Sequence, residues 1–435
     1  MRSSLKKKLL LGFGLLVLIY GLLLIPDTTV QPLYKGGKQP FVWNKDSLWH
    51  QLETGFLAAK NTSDTALVDS SISAHFFALN GQLLRWQHAD GALDTFQISD
   101  FLQPYFELSA LVAAHPQYLP RLLELYRSAR VQLKDYATKW PLQNPAVKPF
   151  LYSYLYGMRA ATEEVLLQVP HQFLESVMPV ETVHSACRTA TVLGMQVYSG
   201  DLLVSRGGAE VSALISRGND YPGNFSHVAL VYVDEKFKPW VIEAHIEKGV
   251  AISDFETYIR DKKLRVMVMR PRADLPALLA NPQFPEKAAK YVYDKTLVTH
   301  LPYDFAMNVS DTNKMFCSEV GSFAYRQANI ILWQNPSTIS GKGITNWLHA
   351  FGVENFVTQM PCDLEYDPQL AVVAEWRDAT TLFKDHIDNA VMDVLLEEAD
   401  KGKVIQYDWY LLPMARLIKL CCIFLNRFGI FSIIV

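Results

Sequence analysis

Of the five cysteines in this 435-residue sequence (187, 317, 362, 421 and 422), Cys317 stands in the setting best suited to chemistry. It opens the run CSEVGSFAYRQAN, which reads as a helix that Asp311, Thr312 or Asn313 can cap. A helix N-terminus carries partial positive charge and free N–H groups. A thiol in the first turn is therefore favoured as the thiolate, its nucleophilic form. Glu319 projects from another side of the helix and need not repel that charge. Cys317, Gly321, Ala324 and Ala328 recur at helical spacing, a stripe of small residues expected to press closely on a sheet.

A thiolate nucleophile needs a base, and the base needs an orienting group. In FSHVALVYV, strand alternation groups His227 with Ala229 and Val231. Alone, such a histidine reads as a core residue bonded to a backbone carbonyl, because an unpaired imidazole among apolar neighbours is costly. The next strand, VIEAHI, puts Glu243 and His245 on one face. A hairpin of the two strands brings a carboxylate beside His227. Glu243 by itself reads equally as a surface carboxylate. Together the three residues read as a Cys317–His227–Glu243 relay, with His245 as the reserve orienter.

The elements that must position these groups begin near residue 195. Five short β-branched runs (around 196–206, 225–233, 240–246, 249–255 and 264–271) are separated by turn signals and predict an antiparallel meander. A helix over PEKAAKYVYDKTL and the Cys317 helix follow, and QLAVVAEW is placed to return to the sheet. The fold class is α+β. Residues 46–180 are helical instead. Leu122, Leu125, Tyr126, Ala129 and Leu133 share one helix face, and prolines divide the region into several helices. Its histidines (50, 75, 88 and 115) are scattered and read as surface or capping residues.

Half of the residues are apolar and a fifth are charged, which fits a folded chain. The net charge of −3, with no basic block beyond the first eight residues, argues against a nucleic-acid partner. Five scattered cysteines do not make a disulfide scaffold, although Cys187 and Cys362 could pair in an oxidising compartment. There is no CxxC or HExxH, so no metal or other cofactor is expected.

GDLL at 200–203, FSHVALV, VIEA, the GV turn, LPYDF and FCSEV, in this order, resemble the circularly permuted papain-like, NlpC-type cysteine hydrolases of the YiiX/YaeF group. There the histidine strand precedes the cysteine helix. The resemblance spans about 195–330. It implies an amidase or peptidase working by acyl transfer, with Cys317 as nucleophile, His227 as base and Glu243 as third polar residue. It also implies a loop at Tyr303 and Asp304 that contacts substrate or the oxyanion. Asp201 in the GD signature reads as a turn-former. A lipid acyltransferase or lipase-like hydrolase on the same fold, and a non-catalytic envelope scaffold, are the alternative readings.

Arg2 and Lys6–Lys8 precede an uncharged apolar run over 9–25. This reads as a retained transmembrane helix, with the following chain on the outer side of a bacterial inner membrane, in the periplasm. A tail ending in LIKLCCIFLNRFGIFSIIV gathers Arg416, Lys419, Asn426 and Arg427 on a narrow stripe, as in a helix lying in a membrane interface. The expected organisation is an anchor at 1–27, a tether at 28–45, a helical domain at 46–184, the hydrolase domain at 185–376 and C-terminal helices with the amphipathic tail at 377–435. The expected partners are the membrane and a peptide or lipid-linked substrate.

Overall fold

The computed structural model describes residues 2–23, 41, 46–87, 100–246, 248–350 and 352–405. Contacts divide the chain into two compact units, one of Leu33–Lys403 and one of Met1–Pro32 with Val404–Val435. In the second, α1 (Arg2–Leu23) carries the apolar run. Among the described residues no helix is long and apolar enough to cross a membrane. The reason lies in the composition of α1. Lys6–Lys8 occupy its first half, and the uncharged stretch from Leu9 to Leu23 extends roughly 21 Å at about 1.5 Å per residue, against roughly 30 Å of hydrocarbon. The expected tether, apart from Phe41, and the amphipathic tail with Cys421 and Cys422 lie outside the described residues.

The larger unit opens with α2 (Ser47–Asn61), α3 (Thr65–Gln87), α4 (Leu102–Ala114), α5 (Leu119–Ala137) and α6 (Val147–Leu166). Asp46 caps α2 by accepting the Trp49 N–H at 3.0 Å. The predicted apolar face of α5 is buried throughout, in a core shared with the other helices. That face also buries Arg130, four residues after Tyr126.

Three strands precede the main run: β1 (Val177–Pro179), β2 (Thr189–Val192) and β3 (Met195–Tyr198), the last two forming a separate hairpin. Then come β4 (Leu202–Gly207), α7 (Glu210–Arg217), β5 (His227–Val233), β6 (Pro239–His245), β7 (Gly249–Asp254), α8 (Phe255–Arg260) and β8 (Lys263–Pro271). Next are α9 (Pro276–Ala280), α10 (Phe284–Val298), α11 (Cys317–Arg326), β9 (Ser337–Thr338), α12 (Lys342–Ala350) and β10 (Val357–Thr358). The described part of this unit closes with β11 (Leu370–Arg377) and α13 (Leu382–Asp400). The seven-stranded sheet runs β1-β11-β8-β4-β5-β6-β7.

The expected five-strand meander is corrected at its last step. β4 to β7 are sequential antiparallel neighbours, but β8 returns across the sheet to pair with β4. The crossing runs through α8, whose Phe255 and Tyr258 pack with Ala229, Val231 and Val241. β8 is buried at every position, so it needs neighbours on both edges, and β4 and β11 supply them. The strand over QLAVVAEW joins the sheet as β11.

A buried charge cluster joins the helices to the sheet. Arg159 pairs with Glu365, one of its bonds being 2.7 Å, and Arg130 reaches Glu375 on β11 at 2.6 Å. Arg265 on β8 binds Glu163 of α6 at 2.5 Å and also Asp385 of α13.

Candidate active site

The helix α11 begins at Cys317. Its cap is not the expected Asp311, Thr312 or Asn313. Asp311 instead accepts the Asn313 N–H at 3.0 Å and closes its own turn. The extended Phe316 precedes the helix, and Glu319 reaches back to accept the Phe316 N–H at 2.9 Å. Burial pushes the Glu319 carboxyl up to about 8, against the Phe316 hydrogen bond. Near pH 7 it therefore carries little charge to oppose a thiolate.

The stripe of small residues sets the depth of α11. A Cβ on Gly321 would lie 3.1 Å from Leu202 Cδ2 and 3.8 Å from Val228, so the helix sits directly on β4 and β5. Ala324 is fully buried in the same core.

His227 is the first residue of β5, where the strand meets the cleft. The β5–β6 register places Ala229 opposite Glu243, so Glu243 stands one side-chain repeat along from His227. His227 Nε2 and Glu243 Oε2 are 2.7 Å apart. His245 does not orient His227 directly. Its Nε2 lies 3.2 Å from the other carboxylate oxygen, Glu243 Oε1, and the two imidazole centroids are 6.2 Å apart. Glu243, buried, thus bridges two histidines.

Burial alone pushes the His227 imidazole down, but the Cys317 sulfur and the Glu243 carboxylate, as acceptors of its N–H groups and as negative charges, outweigh it and raise the pKa to about 9. For Glu243, burial pushes up, while the His227 and His245 hydrogen bonds and nearby charge, including Lys263, hold it well below the usual carboxylate range.

Cys317, His227, His245 and Tyr303 line one open cleft of about 220 Å³. It sits at the end of the sheet where β4 and β6 finish and β5 and β8 start. Asp304 is not in its lining. Its buried carboxylate accepts the N–H groups of Ala306 at 3.1 Å and Asn308 at 2.6 Å, so it shapes the loop that carries Tyr303. Asp201 accepts the Tyr198 N–H at 2.8 Å and pairs with Arg270 at 2.7 Å, holding the turn before β4.

Two groups behind the relay were not legible in the sequence. The buried Tyr258 hydroxyl lies beside Ser205 and Glu243, and Lys263 adds positive charge near Glu243. Both arrive through the α8 crossing, which carries no sequence signal of its own. Cys187 and Cys362 are unpaired. The Cys187 sulfur lies 3.8 Å from the Pro282 carbonyl and that of Cys362 3.7 Å from the Tyr221 carbonyl, so the possible disulfide is absent. Among the described residues, no group of three or more His, Cys, Asp or Glu is arranged to hold a metal ion.

Residues 196–374 match the family model described as "permuted papain-like amidase enzyme, YaeF/YiiX, C92 family". The match spans under half of the chain and includes β4 to β8, α11 and most of β11. Neither the curated proteins nor the solved structures give a match.

Proposed function

We propose that the permuted papain-like amidase segment is an active thiol hydrolase, with Cys317 as nucleophile, His227 as general base and acid, and Glu243 as the residue that orients the imidazole. The observation that supports this most is the convergence of a helix-N-terminal thiol and a carboxylate-bound imidazole on one cleft. With Nε2 held by Glu243, Nδ1 is the imidazole nitrogen left for the thiol. The Cys317 sulfur attacks a substrate carbonyl carbon, and the proton taken by His227 passes to the leaving amine or alcohol. Water then adds to the thioester, His227 taking its proton, and the acid is released as the thiol re-forms. The Cys317 N–H, free at the start of α11, is suited to the developing oxyanion.

The substrate class is an amide or ester of the cell envelope, such as a wall peptide or a lipoprotein. Membrane contact through α1 belongs to the same reading, with the hydrolase segment on the periplasmic side of a bacterial inner membrane. Its support is the basic flank followed by apolar residues exposed along α1, among them Leu10, Leu11 and Phe13.

Alkylation by iodoacetamide, read at the Cys317 peptide by mass spectrometry in the full chain, tests the pair. The rate near pH 7 is expected to fall at least tenfold in His227→Ala. Equal rates in the two proteins remove the enzyme reading. Alkaline extraction and protease protection in sealed cells test the membrane placement.

A further inference from the structure

The cleft has a feature that the thiol chemistry does not use. Lys262 lies in its wall, in the turn between α8 and β8, and is exposed to solvent. Its backbone is held at φ +44°, a conformation that costs an L residue energy and that Gly or Asn adopts more readily. One hydrogen bond keeps it there, the Gly208 N–H donating to the Lys262 carbonyl at 2.9 Å, and a Cβ on Gly208 would crowd that carbonyl oxygen at 3.2 Å. Gly208 therefore lets the lysine turn lie close against the end of β4. The neighbouring lysine behaves differently. Lys263 is buried and its ammonium is paired with Asp261 at 3.1 Å. Among the described residues, no carboxylate pairs with the Lys262 ammonium. Val211, Ile215 and Ile246 line the same cleft, Val211 and Ile246 being nearly half exposed.

We propose that Lys262 is a specificity-determining residue that selects acyl substrates carrying a carboxylate, whose apolar part lies against Val211, Ile215 and Ile246. This rests on the thiol-hydrolase reading of the same cleft. A carboxylate fits better than a phosphate monoester, because one unpaired ammonium balances one negative charge and a phosphate monoester brings nearly two. The strained, pinned turn holds the base of the lysine in place, so less freedom is lost when the anion binds.

Two alkylating agents that differ only in charge test this without a known substrate. Iodoacetate carries the carboxylate, and iodoacetamide is its neutral counterpart. In each, the Cys317 thiolate forms the S–C bond and iodide leaves. The quantity read is the ratio of the two rates at the Cys317 peptide, in the full chain at low ionic strength. The ratio is expected to fall about threefold in Lys262→Gln and about tenfold in Lys262→Glu, to persist in Lys262→Arg, and to shrink towards the variants' values as salt is raised. An unchanged iodoacetamide rate in the same variants shows that the fold and the thiol are intact. A ratio indifferent to both Lys262→Gln and Lys262→Glu overturns the proposal, whatever His227 does. An iodoacetamide rate indifferent to His227→Ala overturns the hydrolase reading instead, so the two failures are separable.

Discussion

Glu243 holds His227 through one oxygen and His245 through the other, so the charge of one buried carboxylate is shared. Its removal has a calculable direction. Without the carboxylate, burial regains influence over His227 while Cys317 still favours the charged ring, and the imidazole pKa is expected to drop below its value of about 9 in Glu243→Gln. Histidine titration followed by NMR checks this, and an imidazole still titrating near 9 would leave Cys317 as the group that sustains the charged ring. His245→Gln is expected to leave His227 titrating well above 6.5, because Glu243 keeps its bond to His227. Amide hydrolysis in His227→Ala is expected to fall by roughly 10² to 10⁴, the usual contribution of a positioned acid–base. These residues were legible in sequence because strand alternation and the helix start involve neighbours in the chain. The bridging geometry was not, since spacing alone cannot say which carboxylate oxygen faces which ring.

At the scale of elements, the depth of α11 on the sheet decides whether thiol and imidazole meet. Gly321→Val forces branched methyl groups into the space beside Leu202 and is expected to cost about 1–3 kcal/mol by overpacking. It should also slow Cys317 alkylation, because the helix must lift away from β4. Denaturant midpoints and alkylation rates measured together check this, and a loss of stability with an unchanged rate would show that the strain is absorbed away from Cys317. The small-residue stripe that sets this depth was readable from helical period alone. The placement of β8 was not. Its continuous apolar run Val266–Met269 signals burial on both faces, but not that β4 and β11 are its neighbours in the interior of the sheet. Arg130 shows the same limit in α5. A cation on an apolar helix face announces a buried partner, yet Glu375 stands 245 residues further along the chain, beyond any periodicity.

For the larger unit as a whole, the buried charges tie helices to sheet and make its stability depend on pH. Arg159→Met leaves Glu365 buried with only part of its pairing and is expected to cost about 3–5 kcal/mol, read as a shift in denaturant midpoint. The pH dependence follows from proton binding. His386, held by Glu163 at 2.9 Å, is raised from 6.5 to about 9, against burial, by its hydrogen bonds to Glu163 and Glu164. Burial raises Glu319 from 4.5 to about 8. Between about pH 6.5 and 8 each of these groups binds a proton more fully in the folded chain than in the unfolded one. The sign is therefore fixed: their contribution is full below the unfolded pKa values and is lost as pH rises through the folded ones. Lys134, lowered to about 8 by burial, acts in the opposite sense only as pH climbs past that value. The denaturant midpoint should thus fall from pH 6.5 to pH 8. His386→Gln and Glu319→Gln should each flatten that fall, while an identical slope in both variants would assign the pH dependence to other groups.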